Sequence, residues 1–318
     1  MSAYLLTVIL LGCVMFGGCT TSSSRPLFLE WVHRIPYHTV TVNQHSIVYS
    51  DVGSGPPVIF IHGFGGTMWN WEYQHGAFTQ NHRVIIPDLL GSGLSDKPQG
   101  PYSPSDLVHF FHAFMDALHI PKAVLIGNSM GAGLAMAMAM DYPERVESLV
   151  LISGLPPNLK ESVASQKYQQ FLHHRPPLWL AKMGNWFAGR SATEALLQEI
   201  VFRQELITPL VIERSFQNRQ RGNLLAPLYA LLDNIDKWES QYGARISQIR
   251  HPTLILWGEH DQVFPIPVGE RLYNQLPHAM WNVIPNAGHL PQWEQPEVVN
   301  QAIRRFLNES PISASPNP

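Results

Sequence analysis

The stretch Ala123-Val124-Leu125-Ile126-Gly127-Asn128-Ser129-Met130-Gly131 decides the fold of this chain. An apolar, β-branched run leads into Gly-x-Ser-x-Gly, and an Ala- and Met-rich segment of helical character follows at once. This pattern predicts a strand, a sharp turn and a helix, with the Ser129 hydroxyl exposed at the carboxyl edge of a sheet. The strained turn leaves no room for a side chain at Gly127 or Gly131. We therefore predict that Ser129 is a nucleophile.

Apolar runs on both sides of this stretch predict further strands. A run that is apolar at every position is typical of a strand buried on both faces of a parallel sheet. The predicted buried strands cover residues 57–61, 83–88, 123–128, 148–152, 253–257 and 280–284, an edge hairpin covers 39–51, and helices cover 69–81, 105–118, 130–142 and 297–307. This alternation predicts an α/β fold, a mainly parallel sheet with helices on both faces.

The alternation stops after the strand that ends near residue 152. Residues 155–249 lack a strong strand pattern and carry apolar residues at helical spacing, so we predict a helical lid inserted over the catalytic edge of the sheet. Aromatic residues such as Trp179 and Trp186 either line an apolar substrate pocket or form the lid's own core. The predicted core therefore covers residues 38–154 and 250–308, preceded by a lead-in at 20–37 and followed by a disordered tail at 309–318.

A serine hydroxyl needs a histidine to accept its proton and an acid to orient that histidine. Asp261 and His289 both follow late strands, on Gly-containing loops, in the chain order Ser, Asp, His. We predict that they complete a catalytic triad with Ser129. The alternatives for the acid are Glu259 and Asp88. The other histidines considered for the base lie on loops or on predicted helices: His62, His260, His109, His112, His173 and His174.

The loop His62-Gly63-Phe64-Gly65-Gly66 follows a buried strand directly. Glycines let backbone N–H groups turn towards a developing negative charge. We predict an oxyanion hole formed by the N–H groups of Phe64 and Met130.

These motifs, together with Gly258-Glu259-His260-Asp261 and Gly288-His289, resemble the α/β-hydrolase fold family over about residues 38–308. The resemblance implies an eight-stranded, mainly parallel sheet. The motif around Ser129 and the segment 85–91 are similar to bacterial monomeric lipases and carboxylesterases, which implies a monomer that cleaves small-molecule ester or lipid substrates through an acyl-enzyme. Two alternatives stay open: a C–C bond hydrolase of ring-fission products, which shares the Gly-Asn-Ser motif, and a non-catalytic binding protein on the same fold.

Composition excludes other classes of function. The chain has 318 residues, 45% of them hydrophobic, with a net charge of −3 and no basic block, which predicts one large α/β domain without a nucleic-acid partner. No His, Asp and Glu cluster has ligand spacing and no glycine loop has the Lys-Ser/Thr of a phosphate site, so we expect neither a metal nor an organic cofactor.

The amino-terminal segment carries an export pattern. Residues 3–16 are apolar over the length of a signal-peptide core, and Gly17-Gly18-Cys19 precedes a polar tether. Residues 1–19 therefore resemble a lipoprotein signal in which Cys19 is lipidated, and the expected location is periplasmic or membrane-anchored. An alternative cleavage point at Cys13, an ordinary signal peptide and an uncleaved anchor all remain open.

Overall fold

The computed structural model describes residues 36–100 and 102–309. The predicted signal and the Cys19 site lie outside these residues, as do all but the last residues of the lead-in and nearly all of the predicted tail. Within the described ranges, no helix combines the length and the apolar character that crossing a membrane requires.

A single eight-stranded sheet forms the centre of the described fold. Its strands lie in the order β1-β2-β4-β3-β5-β6-β7-β8; β1 and β2 form an antiparallel hairpin, β2 is antiparallel to β4, and all other neighbours are parallel. The strands are β1 Tyr37–Val42, β2 His45–Val52, β3 Pro57–Ile61, β4 Arg83–Pro87, β5 Ala123–Asn128, β6 Val146–Ile152, β7 Thr253–Gly258 and β8 Ala279–Ile284. The predicted fold class, including the mainly parallel sheet, is confirmed.

Helices cover both faces of this sheet. The α-helices are α1 Pro104–Ala117, α2 Met130–Asp141, α3 Leu159–Ser162, α4 Gln166–His174, α5 Leu178–Ile200, α6 Pro209–Gln220, α7 Leu225–Asp233, α8 Ile235–Gln241, α9 Ile266–Tyr273, α10 Pro291–Glu294 and α11 Pro296–Glu309. Short 3₁₀ helices occupy Met68–Trp71, Pro143–Arg145, Gln204–Leu206 and Gly243–Gln248. Helices α3 to α8 all lie between β6 and β7, where the helical insertion is predicted. Its function as a lid stays a prediction.

Alternate residues of the buried strands enter two separate apolar cores, because side chains along a strand point to opposite faces. Ile59 and Leu125 join the core beneath α1, α2 and α9. Phe60 and Ile126 join the core beneath α11 and the segment that follows β3. Two-sided burial explains why these strands are apolar at every position.

The helix predicted over residues 69–81 is wrong. Only the 3₁₀ helix Met68–Trp71 forms there, followed by turns. Tertiary contacts override the helical pattern: the buried Gln74 side chain donates to the Gln292 carbonyl at 2.9 Å and to Asn300 Oδ1 at 3.0 Å.

The helix predicted over residues 105–118 begins slightly earlier. Ser103 caps α1, with Asp106 completing a reciprocal capping box. Pro104 explains the shift, because it lacks an N–H and is therefore favoured as the first helical residue.

The turn between β5 and α2 depends on its glycines. A Cβ atom on Gly127 would overlap the backbone of Gly131, and one on Gly131 would overlap the carbonyl oxygen of Ile61 in β3. Both obstacles are backbone atoms of central elements, which cannot move without separating the helix from the sheet.

Gly131→Ala should lower the free energy of unfolding by about 3 kcal/mol or more, because close-packed backbone cannot accept the added methyl group. Chemical denaturation measures the change. Gly76→Ala is the matched control, since a Cβ there has no atom within 4 Å. Equal stability of the two variants would contradict this account of the turn.

Candidate active site

Ser129 lies at the tip of the turn between β5 and α2. Its backbone has φ 53° and ψ −117°, a conformation that is strained for any residue except glycine. The Ser129 N–H donates to the Ile152 carbonyl at 2.9 Å, and its carbonyl accepts from the Gly133 N–H at 3.1 Å. The hydroxyl therefore stands at the carboxyl edge of the sheet, in front of the amino-terminus of α2.

His289 and Asp261 form a direct buried pair. His289 Nδ1 lies 2.8 Å from Asp261 Oδ2, and the two side chains are 8% and 0% exposed. Asp261 Oδ1 accepts from the N–H groups of Val263 and Phe264, both at 2.9 Å. Since the carboxylate is an acceptor, Nδ1 carries the proton and Nε2 is left to accept one. This is the tautomer that a general base for a serine requires.

Hydrogen bonds join the His289 loop to the nucleophile turn and to α5. The Asn128 side chain donates through Nδ2 to the His289 carbonyl at 3.1 Å. The residue before Ser129 is therefore hydrogen-bonded to the backbone of the histidine. The His289 N–H donates to the Ile200 carbonyl, at the end of α5, at 2.8 Å. The structure thus brings the three predicted triad residues to one edge of the sheet.

The predicted oxyanion loop packs against Ser129. A Cβ on Gly63 would lie only 3.2 Å from Ser129 Cβ, which shows how closely the loop approaches the turn. Among the described residues, the N–H groups of Phe64 and Met130 donate no hydrogen bond to another backbone or side-chain group. Both predicted donors are therefore available to a ligand, although their role in an oxyanion hole stays a prediction.

His62 supports this loop from below. It is fully buried, its Nδ1 lies 2.8 Å from the Gly63 carbonyl, and its Nε2 lies 3.1 Å from the Leu89 nitrogen. Because the Leu89 N–H is a donor, Nε2 accepts and Nδ1 donates. Burial lowers the pKa of His62 to about 4, so the ring is neutral near pH 7. His62 is thus a structural residue of the loop rather than a base.

Asp88, the alternative candidate for the triad acid, also has a structural role. Its two oxygens accept from the N–H groups of Met68 and Leu94, both at 2.7 Å. Burial raises the pKa of Asp88 to about 6. These hydrogen bonds join the loop after β4 to the segment after β3. Both oxygens of Asp88 are thus engaged with these backbone N–H groups rather than with His289.

Glu259 and His260, the other acid and base candidates on this loop, have partners outside the triad. Glu259 is exposed and accepts from the Asn286 N–H at 3.2 Å. The His260 ring stacks on Phe202 with centroids 3.9 Å apart. Beside them a cleft of about 580 Å³ opens between the helical insertion and the loop that carries Asp261.

Glu294 is a site residue that the sequence analysis missed. It is 1% exposed; Oε1 accepts from the Gly288 N–H at 2.8 Å, and Oε2 accepts from the N–H groups of Phe202 and Arg203 at 2.8 and 2.9 Å. Burial raises the pKa of this carboxyl group. Glu294 therefore fixes the residue before His289 to the segment that follows α5. The only signal in the sequence is an acid that follows Trp293, five residues after His289.

No group of three or more His, Cys, Asp or Glu residues suited to a metal ion occurs in residues 36–100 and 102–309.

A family model described as the alpha/beta hydrolase fold matches residues 56–296. The chain belongs to this family. It is 34% identical over 272 residues to a 2-hydroxy-6-oxononadienedioate/2-hydroxy-6-oxononatrienedioate hydrolase of Paraburkholderia phymatum, covering 82% of this chain and 90% of that relative.

Two solved structures share the fold over most of both chains. A meta-cleavage product hydrolase of Pseudomonas fluorescens IP01 has a TM-score of 0.74 and 28% identity, covering 86% of this chain and 97% of the other. A membrane phospholipase A, a bacterial virulence factor, has a TM-score of 0.74 and 26% identity, covering 90% and 91%.

The chain is therefore a hydrolase, as predicted. Ester cleavage was the first expectation from the sequence and C–C cleavage the alternative. The curated relatives support the alternative better, because they are named for ring-fission acids rather than esters.

Glu294→Gln should lower kcat by about tenfold or more with little change in KM, because small displacements of a catalytic group slow the reaction strongly. The amide NH₂ would face backbone N–H donors, which should also cost about 1–3 kcal/mol of stability. Steady-state kinetics below the unfolding temperature separates the two effects.

Glu297→Gln is the matched control, because this exposed glutamate lies in the first turn of α11. It should leave kcat and stability unchanged. If both variants retain full kcat, Glu294 does not position the His289 loop.

Proposed function

We propose that this hydrolase attacks a carbonyl carbon with Ser129 and releases an acyl group through an acyl-enzyme. His289 Nε2 takes the serine proton as the bond to carbon forms, while Asp261 holds the imidazole in the required tautomer. The N–H groups of Phe64 and Met130 stabilise the oxyanion. His289 then donates its proton to the leaving group and activates the water that hydrolyses the acyl-enzyme. The paired, buried His289 and Asp261 support this reaction.

For the scissile bond we propose a C–C bond next to a ketone in a substrate that carries a carboxylate. The 34% identity to a dienedioate hydrolase over 82% of the chain is the observation that carries this assignment. In such a substrate the leaving carbon is stabilised as an enolate by conjugation with the acid end. His289 protonates that carbon, and water supplies the oxygen of the second acid product.

A partly buried arginine in the helical insertion fits an acidic substrate. Arg219 in α6 follows Asn218, whose side chain donates to the Gly65 carbonyl of the predicted oxyanion loop at 3.4 Å. Arg219 Nη1 donates to Thr193 Oγ1 at 3.2 Å, and no carboxylate of the described residues pairs with Arg219. Burial lowers the pKa of this guanidinium. A desolvated cation without an anion is costly, so a substrate carboxylate is the partner we propose.

Tyr168 connects this arginine to the triad. Its ring lies within electrostatic range of Glu199, Arg219 and Asp261, and burial raises its pKa to about 12. The hydroxyl is therefore neutral, and the nearby Glu199 carboxylate is bonded to Lys167 and Ser165 rather than to Arg219. This neighbourhood supports placing the acid end of the substrate on the side of the site formed by α4 and α6.

The second candidate function is ester hydrolysis. The similarity to a membrane phospholipase A covers 90% of the chain, more than the 86% covered by the meta-cleavage product hydrolase. The predicted export segment also favours this candidate, because ring-fission catabolism is normally cytoplasmic. The same triad can carry out ester hydrolysis and C–C cleavage, because the two reactions differ in the leaving atom, which is oxygen in an ester and carbon in C–C cleavage.

The full chain should be assayed on a 2-hydroxy-6-oxo-6-aryl-hexa-2,4-dienoate and on p-nitrophenyl esters from acetyl to palmitoyl. We expect the dienoate, whose colour disappears on cleavage, to have the higher kcat/KM. Ser129→Ala should lower kcat on every substrate that is turned over by about 10⁴-fold or more. Turnover of esters alone would favour the second candidate, and turnover that survives in Ser129→Ala would refute the mechanism.

Arg219→Gln should raise KM for the dienoate by about tenfold to a hundredfold, because it removes a charge-assisted hydrogen bond to the carboxylate. Turnover of a neutral ester should be unaffected. Arg190→Gln is the matched control, because that arginine is exposed and pairs with Glu213. An equal effect of Arg219→Gln on neutral and acidic substrates would exclude carboxylate binding.

A further inference from the structure

The first half of α5 presents large apolar side chains to solvent. Trp179, Met183 and Phe187 are 65%, 50% and 82% exposed, and their spacing of four residues places them along one helix face. Leu180 lies beside them and is also exposed. We call these four residues the α5 patch. Single exposed apolar residues are ordinary on proteins, whereas a contiguous patch that includes Trp and Phe marks an interaction surface.

The sequence around the α5 patch contains cations but no acids. From Gln166 to Thr193 the sequence contains no Asp or Glu, and it contains Lys167, Arg175, Lys182 and Arg190. Three of these cations pair with acids elsewhere in the insertion, namely Glu199, Asp233 and Glu213. Lys182, one residue before Met183, is exposed and has no ion pair among the described residues. The patch is thus bordered by a cation that can meet an anionic surface.

This combination of properties fits one occupant, an anionic lipid surface. Helices that lie in a membrane interface carry Trp, Phe and Leu on one face and Lys or Arg at its border. Long cationic side chains reach the headgroups while their stems stay among apolar groups.

The amino-terminal sequence gives an independent reason to choose lipid. The apolar residues 3–16 and the Gly-Gly-Cys19 pattern predict export or attachment to a membrane, and the seventeen residues 20–36 separate Cys19 from β1. A chain of that length is long enough to let the folded domain reach the bilayer on which it is anchored.

We propose that the α5 patch inserts into the interface of an anionic lipid bilayer and holds the helical insertion against the membrane. The α5 face is on the outside of the insertion, and the docking does not depend on which bond the active site cleaves. Its consequence is that substrates dissolved in the bilayer are presented to the insertion side of the enzyme.

Tryptophan fluorescence of the full chain tests this docking. The wild type and Trp179→Phe are reconstituted in vesicles of phosphatidylglycerol and phosphatidylethanolamine, with and without brominated acyl chains. The difference in emission between the two proteins is the fluorescence of Trp179. We expect brominated chains to quench about half of it or more, because interfacial helices bury their apolar face at the acyl boundary. An unquenched difference would overturn the proposal, even with the chain bound to the vesicles.

Two further variants test whether the quenching of Trp179 depends on the apolar face of α5. Phe187→Asp should remove most of this quenching, whereas Leu210→Asp, on an exposed apolar residue of α6, should leave it unchanged. Both substitutions lie on exposed positions, so both proteins should fold. Equal quenching in the wild type and in these two variants would also overturn the proposal.

A second copy of this chain is the competing occupant. Sedimentation in detergent distinguishes it, because lipid docking predicts that Phe187→Asp leaves the molecular mass unchanged. A dimer that dissociates in Phe187→Asp, together with absent quenching, would assign the patch to self-association and refute lipid docking.

Discussion

The strained backbone at Ser129 is the constraint on which the rest of the structure depends. A non-glycine residue with φ 53° and ψ −117° costs about 1–3 kcal/mol, so the surroundings must hold it there. Hydrogen bonds to the Ile152 carbonyl and from the Gly133 N–H fix both sides of the peptide. The glycines at 127 and 131 let α2 pack on the central strands without a gap. The strain therefore persists because the most buried part of the sheet surrounds it.

The other side of the site is held by hydrogen bonds rather than by strain. His289 is bonded through its carbonyl to Asn128, through its N–H to the Ile200 carbonyl, and through its side chain to Asp261. Glu294 adds the bonds that join Gly288 to residues 202 and 203. Since Ile200 ends α5 and residue 202 follows it within the helical insertion, that insertion is connected to the base by backbone contacts. A shift of α5 would be transmitted directly to the histidine loop.

Ser129, Asp261 and His289 can be predicted from the sequence because each follows a predicted strand, and parallel strands end at one edge of a sheet. Glu294 cannot be predicted in this way, because its bonds go to the backbone N–H groups of Gly288, Phe202 and Arg203, and backbone partners leave no pattern in the residue types. The helix expected over residues 69–81 fails for a similar reason. The buried amide of Gln74 bonds to α10 and α11, and those contacts favour turns over a helix.

The triad alone does not determine which bond is cleaved. An alkoxide leaving group and an enolate leaving group both need a proton from the same imidazolium and a place for the same oxyanion. The difference lies in what binds the part of the substrate beyond the carbonyl. Arg219, which donates to Thr193 within the insertion, is the group proposed to bind a substrate carboxylate, whereas Trp179 and Phe187 are the groups proposed to enter lipid. Because Arg219 lies on α6 and the other two residues lie on α5, the proposed substrate binding and the proposed membrane docking depend on different helices of the insertion.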